Sequence, residues 1–307
     1  MRVVYGLGNI RFNKPSCVTI GVFDGVHRGH QAILKKVVSF ARRNKILSIV
    51  LTFHPHPDSV VKRKKKSVSL ISLKHRLYLI SKLGIDACVV IRFNKRFKNI
   101  KPREFVEKIL VKRCRMKHIF LGSNFLFGFN RKGTIGLLKD LSKEFGFRLH
   151  IQTLQINKQI PISSTLLRSL IQKGDLKKAE HLLGRNVELI GTVIGGNRLG
   201  RHLGFPTANI DPHHEVIPPR GVYLIEAWLG KRNIPGLANI GFRPTVKNTK
   251  EELIEVHLLN FKESIYGKDL RIVFLNKLRN EKKFASRALL MDRVQSDIRK
   301  ARRFFHF

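Results

Sequence analysis

Two short stretches of the 307-residue chain carry side chains at spacings suited to phosphate chemistry. The first is Gly21-Val22-Phe23-Asp24-Gly25-Val26-His27-Arg28-Gly29-His30, which reads as a strand end turning into a helix. Gly25 and Gly29 let the backbone approach a ligand closely, and the helix that follows offers free N–H groups and the positive end of its dipole to an anion. His27 and His30, three residues apart at that helix entrance, can both face a phosphate and hydrogen-bond the charge that develops on an α-phosphorus without forming a covalent intermediate. The second stretch is Ile162-Ser163-Ser164-Thr165-Leu166-Leu167-Arg168, with three hydroxyls at a helix N-terminus and an arginine one turn inside. Those groups suit triphosphate oxygens. Taken singly, each stretch also has a plainer reading: a surface turn with two incidental histidines, and an ordinary N-cap.

The surrounding pattern supplies elements that can position both. From Pro15 to about Gly184, short β-branched runs alternate with longer amphipathic segments, the signature of βαβ units. Strands are predicted at Cys17–Phe23, Leu47–Phe53, Ala87–Phe93, His118–Gly122 and Arg148–Thr153, and helices at Gln31–Arg43, Leu73–Leu83, Pro102–Arg113 and Ile135–Phe145. The expected result is an α/β domain with a parallel sheet, whose ligands sit beyond the carboxyl ends of the strands. Helices at Thr165–Gln172 and Asp175–Leu183 close this domain, with Asp175 as an N-cap. After Leu183-Gly184-Arg185 the period changes to two. Val187–Val193, Val222–Trp228, Ile234–Ile240, Leu253–Leu259 and Leu270–Leu275 read as five strands without intervening helices, and predict a small antiparallel barrel. A C-terminal helix over Ala285–Phe304 packs against it. The domains are therefore expected at residues 1–184 and 185–307.

Composition narrows the function classes. Apolar residues make up 43% of the chain and charged residues 26%, enough for a sizeable core and unlike a disordered chain. No apolar run approaches the roughly 18 residues of a spanning helix, and the N-terminus lacks the order of a secretory signal. A cytoplasmic protein without a membrane partner is the expectation. Cys17, Cys88 and Cys114 are odd in number and widely spaced, which suits reduced core thiols rather than a disulfide framework or a zinc site. The formal net charge is +39, from 60 Lys+Arg against 21 Asp+Glu. Only Lys62-Arg63-Lys64-Lys65-Lys66 forms a block, and no RNA-binding aromatic signature accompanies it, so nucleic acid is not expected as the main partner. The field still attracts phosphate-bearing small molecules.

The two phosphate motifs together resemble the HxGH and ISSTxxR signatures of the nucleotidyltransferase superfamily. That resemblance implies attack of a nucleophilic phosphate on the α-phosphate of ATP, with pyrophosphate leaving. GVFDGVHRGHQ, TFHPHP at Thr52–Pro57, GSNFLFGFNRKG at Gly122–Gly133 and ISSTLLR, in this order, resemble the FMN adenylyltransferase module of bacterial bifunctional riboflavin kinase/FMN adenylyltransferases, also called FAD synthetases. The match implies His27, His30 and Arg168 as catalytic groups, and Gly21, Phe23, Asp24, Gly25, Asn124, Ser163, Ser164 and Thr165 as nucleotide-binding residues. Asn124 stands where that family often has Asp; the amide still hydrogen-bonds but brings no negative charge. Phe125 and Phe127, beside Gly128, are candidates for a wall against a flat flavin ring, with core packing as the alternative reading.

The C-terminal half resembles riboflavin kinase in its own right. Gly191-Thr192-Val193-Ile194-Gly195-Gly196 followed by Gly200–Asn209 is similar to that family's glycine-rich loop and PTAN motif, and GVYLIEAW, ANIGFRPTV, IEVHLLNF and YGKDLRIVFLNKLRNEKKF follow in the family's order. The resemblance implies nucleotide binding by Gly191, Gly196 and Thr207, with Thr207 and Asn209 supplying oxygen ligands to Mg²⁺, a hard cation. It also implies Glu255 as the general base that takes the proton from the ribityl 5′-hydroxyl. Glu251 and Glu252 are read as exposed partners in ion pairs. Gly195 stands where related sequences commonly place His, and MDRVQSDI at Met291–Ile298 replaces a Gln-rich pattern. The implied function is ATP-dependent phosphorylation of riboflavin to FMN, then adenylylation of FMN to FAD. ATP is the co-substrate at both sites, and the enzyme is expected as a monomer or weak oligomer.

Overall fold

Strand and helix bounds follow the two periods of the sequence closely. The structure, a computed structural model, describes residues 1–61, 69–123, 125–129, 132–152, 162–196, 204–242 and 252–307. The basic block at Lys62–Lys66 lies outside the described residues, as do Asn124, Thr153, the glycine-rich loop residues 200–203 and Glu251. The chain forms two compact units, Met1–Ser69 with Leu73–Ser163, and Leu70–Ser72 with Ser164–Phe307.

The first unit is built on strands β1 (Arg2–Tyr5), β2 (Ser16–Ile20), β3 (Leu47–His54), β4 (Ala87–Arg92), β5 (Met116–Gly122) and β6 (Arg148–Gln152). They lie in the order β1-β4-β3-β2-β5-β6, every described pairing parallel. Every residue of β2 is buried, as expected of a central strand covered on both faces. The connections run outward on either side of β2 and β5, so these two strands flank the point where strand order reverses. A parallel sheet opens a ligand crevice there, beyond the strands' carboxyl ends. The GVFDG motif leaves β2 and the GSNFLFGF motif leaves β5, so both open onto that crevice.

Helix α1 (Arg28–Arg43) buries Ile33, Leu34, Val37, Val38 and Ala41, one helical stripe, against the sheet. The short α2 (Pro57–Val61) and α4 (Lys95–Lys98) were not expected; α3 (Leu73–Lys82) was. The segment predicted as one helix from Pro102 begins as α5 (Pro102–Glu104) and continues as a π-helix over Phe105–Arg113. α6 (Ile135–Phe145) starts at an N-cap formed by Thr134, which accepts a hydrogen bond from the Leu137 N–H, and ends at left-handed Gly146. All three cysteines are free and buried, and burial pushes each thiol up to about 12, as expected of inert core thiols.

In the second unit, α7 (Ser164–Lys173) and α8 (Leu176–Leu183) precede the barrel, with Asp175 capping α8 through the Lys178 N–H. By its contacts this helix pair groups with the barrel, whereas the sequence pattern placed it at the end of the first domain. Gly174 shows the tie: a Cβ there would lie 3.2 Å from the Pro219 ring. Strands β7 (Glu188–Ile194), β8 (Ala208–Asp211), β9 (Gly221–Leu229), β10 (Arg232–Phe242), β11 (Glu252–Leu258) and β12 (Asp269–Arg279) close a barrel in the order β10-β11-β8-β7-β12-β9. The sequence predicted five strands. The sixth, β8, has four residues directly after a Gly/Pro-rich stretch, too short to show a period of two. Helix α9 (Arg287–Phe304), N-capped by Ser286, buries Ala301 against a cluster containing Val222, Leu224 and Leu237.

Gly191 lies in the barrel wall. A Cβ there would meet Ile210 Cγ2 at 2.3 Å and the Asp211 carbonyl at 2.6 Å, so glycine allows β7 and β8 to approach. Gly191→Ala is expected to lower stability by about 1–3 kcal/mol through overpacking. Thermal unfolding checks this, and an unchanged Tm would contradict the packing role.

Candidate active sites

At the end of β2 the chain takes a tight path. Phe23 (φ +52°), Gly25 (φ +80°) and Val26 (φ +39°) all occupy the left-handed region, which is costly for the two non-glycine residues. The turn is held from several sides. Gly21 N–H donates to the Leu51 carbonyl (3.1 Å), Thr52 Oγ1 donates to the Val22 carbonyl (3.0 Å), and Gln31 Nε2 donates to the Val26 carbonyl (2.8 Å). The Phe23 ring folds back over Gly21, where a Cβ would be 3.0 Å from the ring. Asp24 and His27 are buried, at 1% and 4% exposure, and His27 is the N-cap residue of α1.

The two histidines stack, with ring centroids 3.6 Å apart and planes 22° from parallel, and the Phe23 ring stands edge-on to His30 at 5.3 Å. Burial holds His30 well below the usual imidazole range, and the neighbouring His27 and Arg76 push it further down. It is therefore a neutral imidazole at neutral pH. A neutral imidazole keeps one N–H for an anionic oxygen and one lone pair, which suits a group that hydrogen-bonds developing charge without itself reacting.

Arg76 was not singled out in the sequence, because an arginine in an amphipathic helix reads as part of the solvated face. It is instead among the largest fully buried side chains, at 1% exposure. Its Nη1 donates to Thr52 Oγ1 (3.2 Å) and to the Phe53 carbonyl (3.0 Å) at the end of β3. Asp24 faces it electrostatically.

Other expected site residues of this half are distributed unevenly. Phe127 packs in the core against Phe105, with ring centroids 6.0 Å apart, as its packing reading anticipates. Phe125 is half-buried and stacks on Phe127 at 5.6 Å, leaving one ring of the pair partly accessible. Ser163 ends the first unit, while Ser164, Thr165 and Arg168 open α7 in the second.

In the barrel, strand pairing sets Asn209 of β8 directly opposite Glu255 of β11, and Glu255 opposite Asn239 of β10. Two cavities meet around these residues. One, of about 310 Å³, is lined by Gly196, Thr207, Asn209 and Tyr266 among others. The other, of about 220 Å³, is lined by Thr207, Asn239 and Glu255 at one side and by Phe284, Leu290, Val294 and Ile298 at the other. Thr207 lines both. Gly191 lines neither, so the glycine that matters at the cavity is Gly196: a Cβ there would fall 1.8 Å from Asn209 Nδ2. His257 Nδ1 donates to the Pro206 carbonyl (2.9 Å) and so tethers the strand-entry turn before Thr207. Burial lowers the His257 pKa, with Arg302 adding to the effect and the Pro206 carbonyl opposing it. Sequence reading also missed Arg279 and Asp297. Arg279 Nε donates to Asp297 Oδ2 (2.7 Å), and this largely buried pair pins α9 beside the second cavity.

The donor set around the junction of the two cavities is the Thr207 hydroxyl, with the Asn209 amide on one side and the Glu255 carboxylate on the other, each offering oxygen. Among the described residues no group of three or more His, Cys, Asp or Glu could hold a metal. That composition fits Mg²⁺, which keeps most of its shell as water and substrate phosphate, and does not fit a softer metal held wholly by protein.

Two family models match the chain in succession. A family model described as FAD synthetase matches residues 9–166, and one described as riboflavin kinase matches residues 183–305. Among curated relatives, the bifunctional riboflavin kinase/FMN adenylyltransferase of Escherichia coli (strain K12) is 37% identical over 308 residues, covering 99% of this chain and 98% of the relative. The chain belongs to the bifunctional riboflavin kinase/FMN adenylyltransferase family. The family member of Haemophilus influenzae is also 37% identical over 308 residues, covering 100% of both chains, and that of Buchnera aphidicola subsp. Schizaphis graminum is 33% identical over 310 residues. A crystal structure described as a macrolide-efflux protein from Streptococcus pneumoniae has a TM-score of 0.82 and 26% identity, covering 98% of this chain and 99% of that one. That likeness concerns the fold; no described helix of this chain is long and apolar enough to cross a membrane.

Histidines with lowered pKa values give this family member a defined acid response. His30, His54, His118 and His150 in the first unit are all lowered, chiefly by burial. Below about 6.5 the unfolded chain binds protons that the fold does not. Stability is therefore expected to be full above that pH and to fall as pH drops from about 6.5 toward the lowered folded values. Urea unfolding at pH 7.5 and 5.5 checks this, and equal midpoints would contradict it.

Proposed function

We propose that the family's two reactions are divided between the described sites. The protein is a transferase that phosphorylates riboflavin to FMN and adenylylates FMN to FAD. The observation that carries the division is the register-fixed placement of Glu255 beside Asn209 and Thr207 in the barrel, remote in sequence from the stacked His27–His30 pair.

In the kinase half, riboflavin occupies the cavity of Glu255, its ring against the apolar side of Phe284, Leu290, Val294 and Ile298. ATP lies in the cavity of Gly196, and Thr207 stands where the two cavities join. Glu255 takes the proton from the ribityl 5′-hydroxyl as that oxygen bonds to the γ-phosphorus and the bond to the β-phosphate oxygen breaks. Thr207 and Asn209 are the residues for Mg²⁺, which would offset charge on the transferring phosphoryl group.

In the adenylyltransferase half, the FMN phosphate attacks the α-phosphorus of a second ATP. His27 and His30 hydrogen-bond the charge that develops there, and pyrophosphate leaves. Gly21, Phe23, Asp24 and Gly25 shape the nucleotide turn, with Asn124 after β5. Ser163, Ser164, Thr165 and Arg168 take the triphosphate oxygens, and Phe125 offers a face to the flavin ring. Functionally the halves divide at 1–184 and 185–307, so that the ISSTLLR helix serves the adenylyltransferase. The reading includes a cytoplasmic enzyme, monomeric or weakly oligomeric, with no nucleic acid as its main partner; the basic excess acts on the approach of phosphate-bearing substrates.

Glu255→Gln is expected to lower FMN formation at least 100-fold, the scale of losing a general base, while FAD formation from supplied FMN persists. His30→Ala is expected to do the reverse, leaving FMN to accumulate. Chromatography of the flavins checks both. Equal loss of the two activities in either variant would contradict separate sites.

A further inference from the structure

Arg76 is an unusual residue to find fully buried, since an uncharged side chain of similar length would fill the space without the several kcal/mol needed to desolvate an ion. Its surroundings do not make it a simple ion-pair anchor of the kind that Arg279 forms with Asp297. Two of its hydrogen bonds go to neutral oxygens, Thr52 Oγ1 and the Phe53 carbonyl, and its buried Nε has no hydrogen-bond partner. The acid that faces it electrostatically is Asp24, which belongs to the nucleotide turn.

We propose that Arg76 is a positioning residue for adenylyl transfer, a fixed buried cation that holds the Phe23–Val26 turn and the stacked His27–His30 pair in the geometry that receives the α-phosphate. The inference rests on the adenylyltransferase reading of this site. The mechanical link is a relay: Arg76 Nη1 donates to Thr52 Oγ1, and the same hydroxyl donates to the Val22 carbonyl, immediately before the left-handed turn. One hydroxyl used in both roles fixes the turn to the end of β3. The electrostatic link runs through Asp24 on one side and the imidazoles on the other. His30 faces His27 in the stack, the edge of the Phe23 ring, and the field of Arg76; His54, at the end of β3, feels Arg76 as well. A permanent positive charge near His30 disfavours its protonation, so Arg76 supplies the charge and His30 stays a neutral, directional hydrogen-bonding group. Inside a low-dielectric site such a preset charge also acts on an arriving phosphate without reorganisation.

The test compares Arg76→Met and Arg76→Lys with the wild-type protein in FAD formation from FMN and MgATP between pH 5 and 9. kcat and the KM for ATP are determined separately, and the riboflavin kinase rate of each preparation gives the amount of active protein. For Arg76→Met the expected result is at least a tenfold fall in kcat, with the acid limb of the profile moved to higher pH because His30 protonates more readily once the charge is gone. Arg76→Lys is expected to restore most of the rate and the wild-type limb. An Arg76→Met profile with the wild-type limb and kcat overturns the proposal. If Arg76→Met does not fold, Arg76→Lys decides alone: a wild-type limb with kcat within tenfold supports the proposal, and a displaced limb or a larger loss overturns it. A wild-type protein that makes no FAD from FMN overturns the adenylyltransferase reading itself, a result distinguishable from failure of the Arg76 assignment.

Discussion

Strand register is the constraint on which both sites depend. In the barrel, Asn209 stands opposite Glu255 and Glu255 opposite Asn239, so three polar side chains from three strands share one face. A slip of one residue between β8 and β11 would turn that face inside out and put Ala208 or Ile210 opposite the carboxylate. In the parallel sheet, β2 pairs through Ile20 with Leu51 of β3, which fixes where the strand ends and the left-handed turn begins. Neither site is a free-standing loop. One is built at the end of a strand and the other within paired strands, and in both the alignment is fixed by the sheet.

The same register explains the positions of the glycines. Gly196 is needed because Asn209 lies against it, and Gly191 because β7 and β8 approach closely. The two glycines belong to one sequence motif yet answer different demands, one at the cavity and one inside the wall. Similarly, Phe125 and Phe127 alternate along one segment, and Phe127 is buried in the core while Phe125 packs against it half-buried. Motif membership therefore groups residues that physics separates.

Much of the architecture was legible in sequence because hydrophobic periods are long-range signals. Strands β2 to β6 of the first unit, the helix over Ile135–Phe145 and the cap at Asp175 all follow from them. What escaped was short or counterintuitive. β1 sits at the sheet edge with two exposed residues, and β8 has only four residues after a proline, so neither carries a readable period. The helix pair after Ser163 groups with the barrel because of contacts such as Gly174 with Pro219, which no local pattern encodes. Among the candidate site residues, His27 and His30 stand out in the sequence by spacing, and Thr207 and Asn209 by resemblance. Arg76 does not, since only the folded structure brings a helical arginine beneath 2% exposure and into the field of Asp24.

In the proposed division of labour, one chain carries two successive phosphate reactions at independent sites, each consuming its own ATP. The most direct measurement is a time course of purified protein with riboflavin, ATP and Mg²⁺, with flavins separated by chromatography and pyrophosphate quantified. FMN is expected to rise first and then fall as FAD accumulates, with one pyrophosphate released for each FAD. Riboflavin left unchanged, or FMN that accumulates without FAD or pyrophosphate, would contradict it.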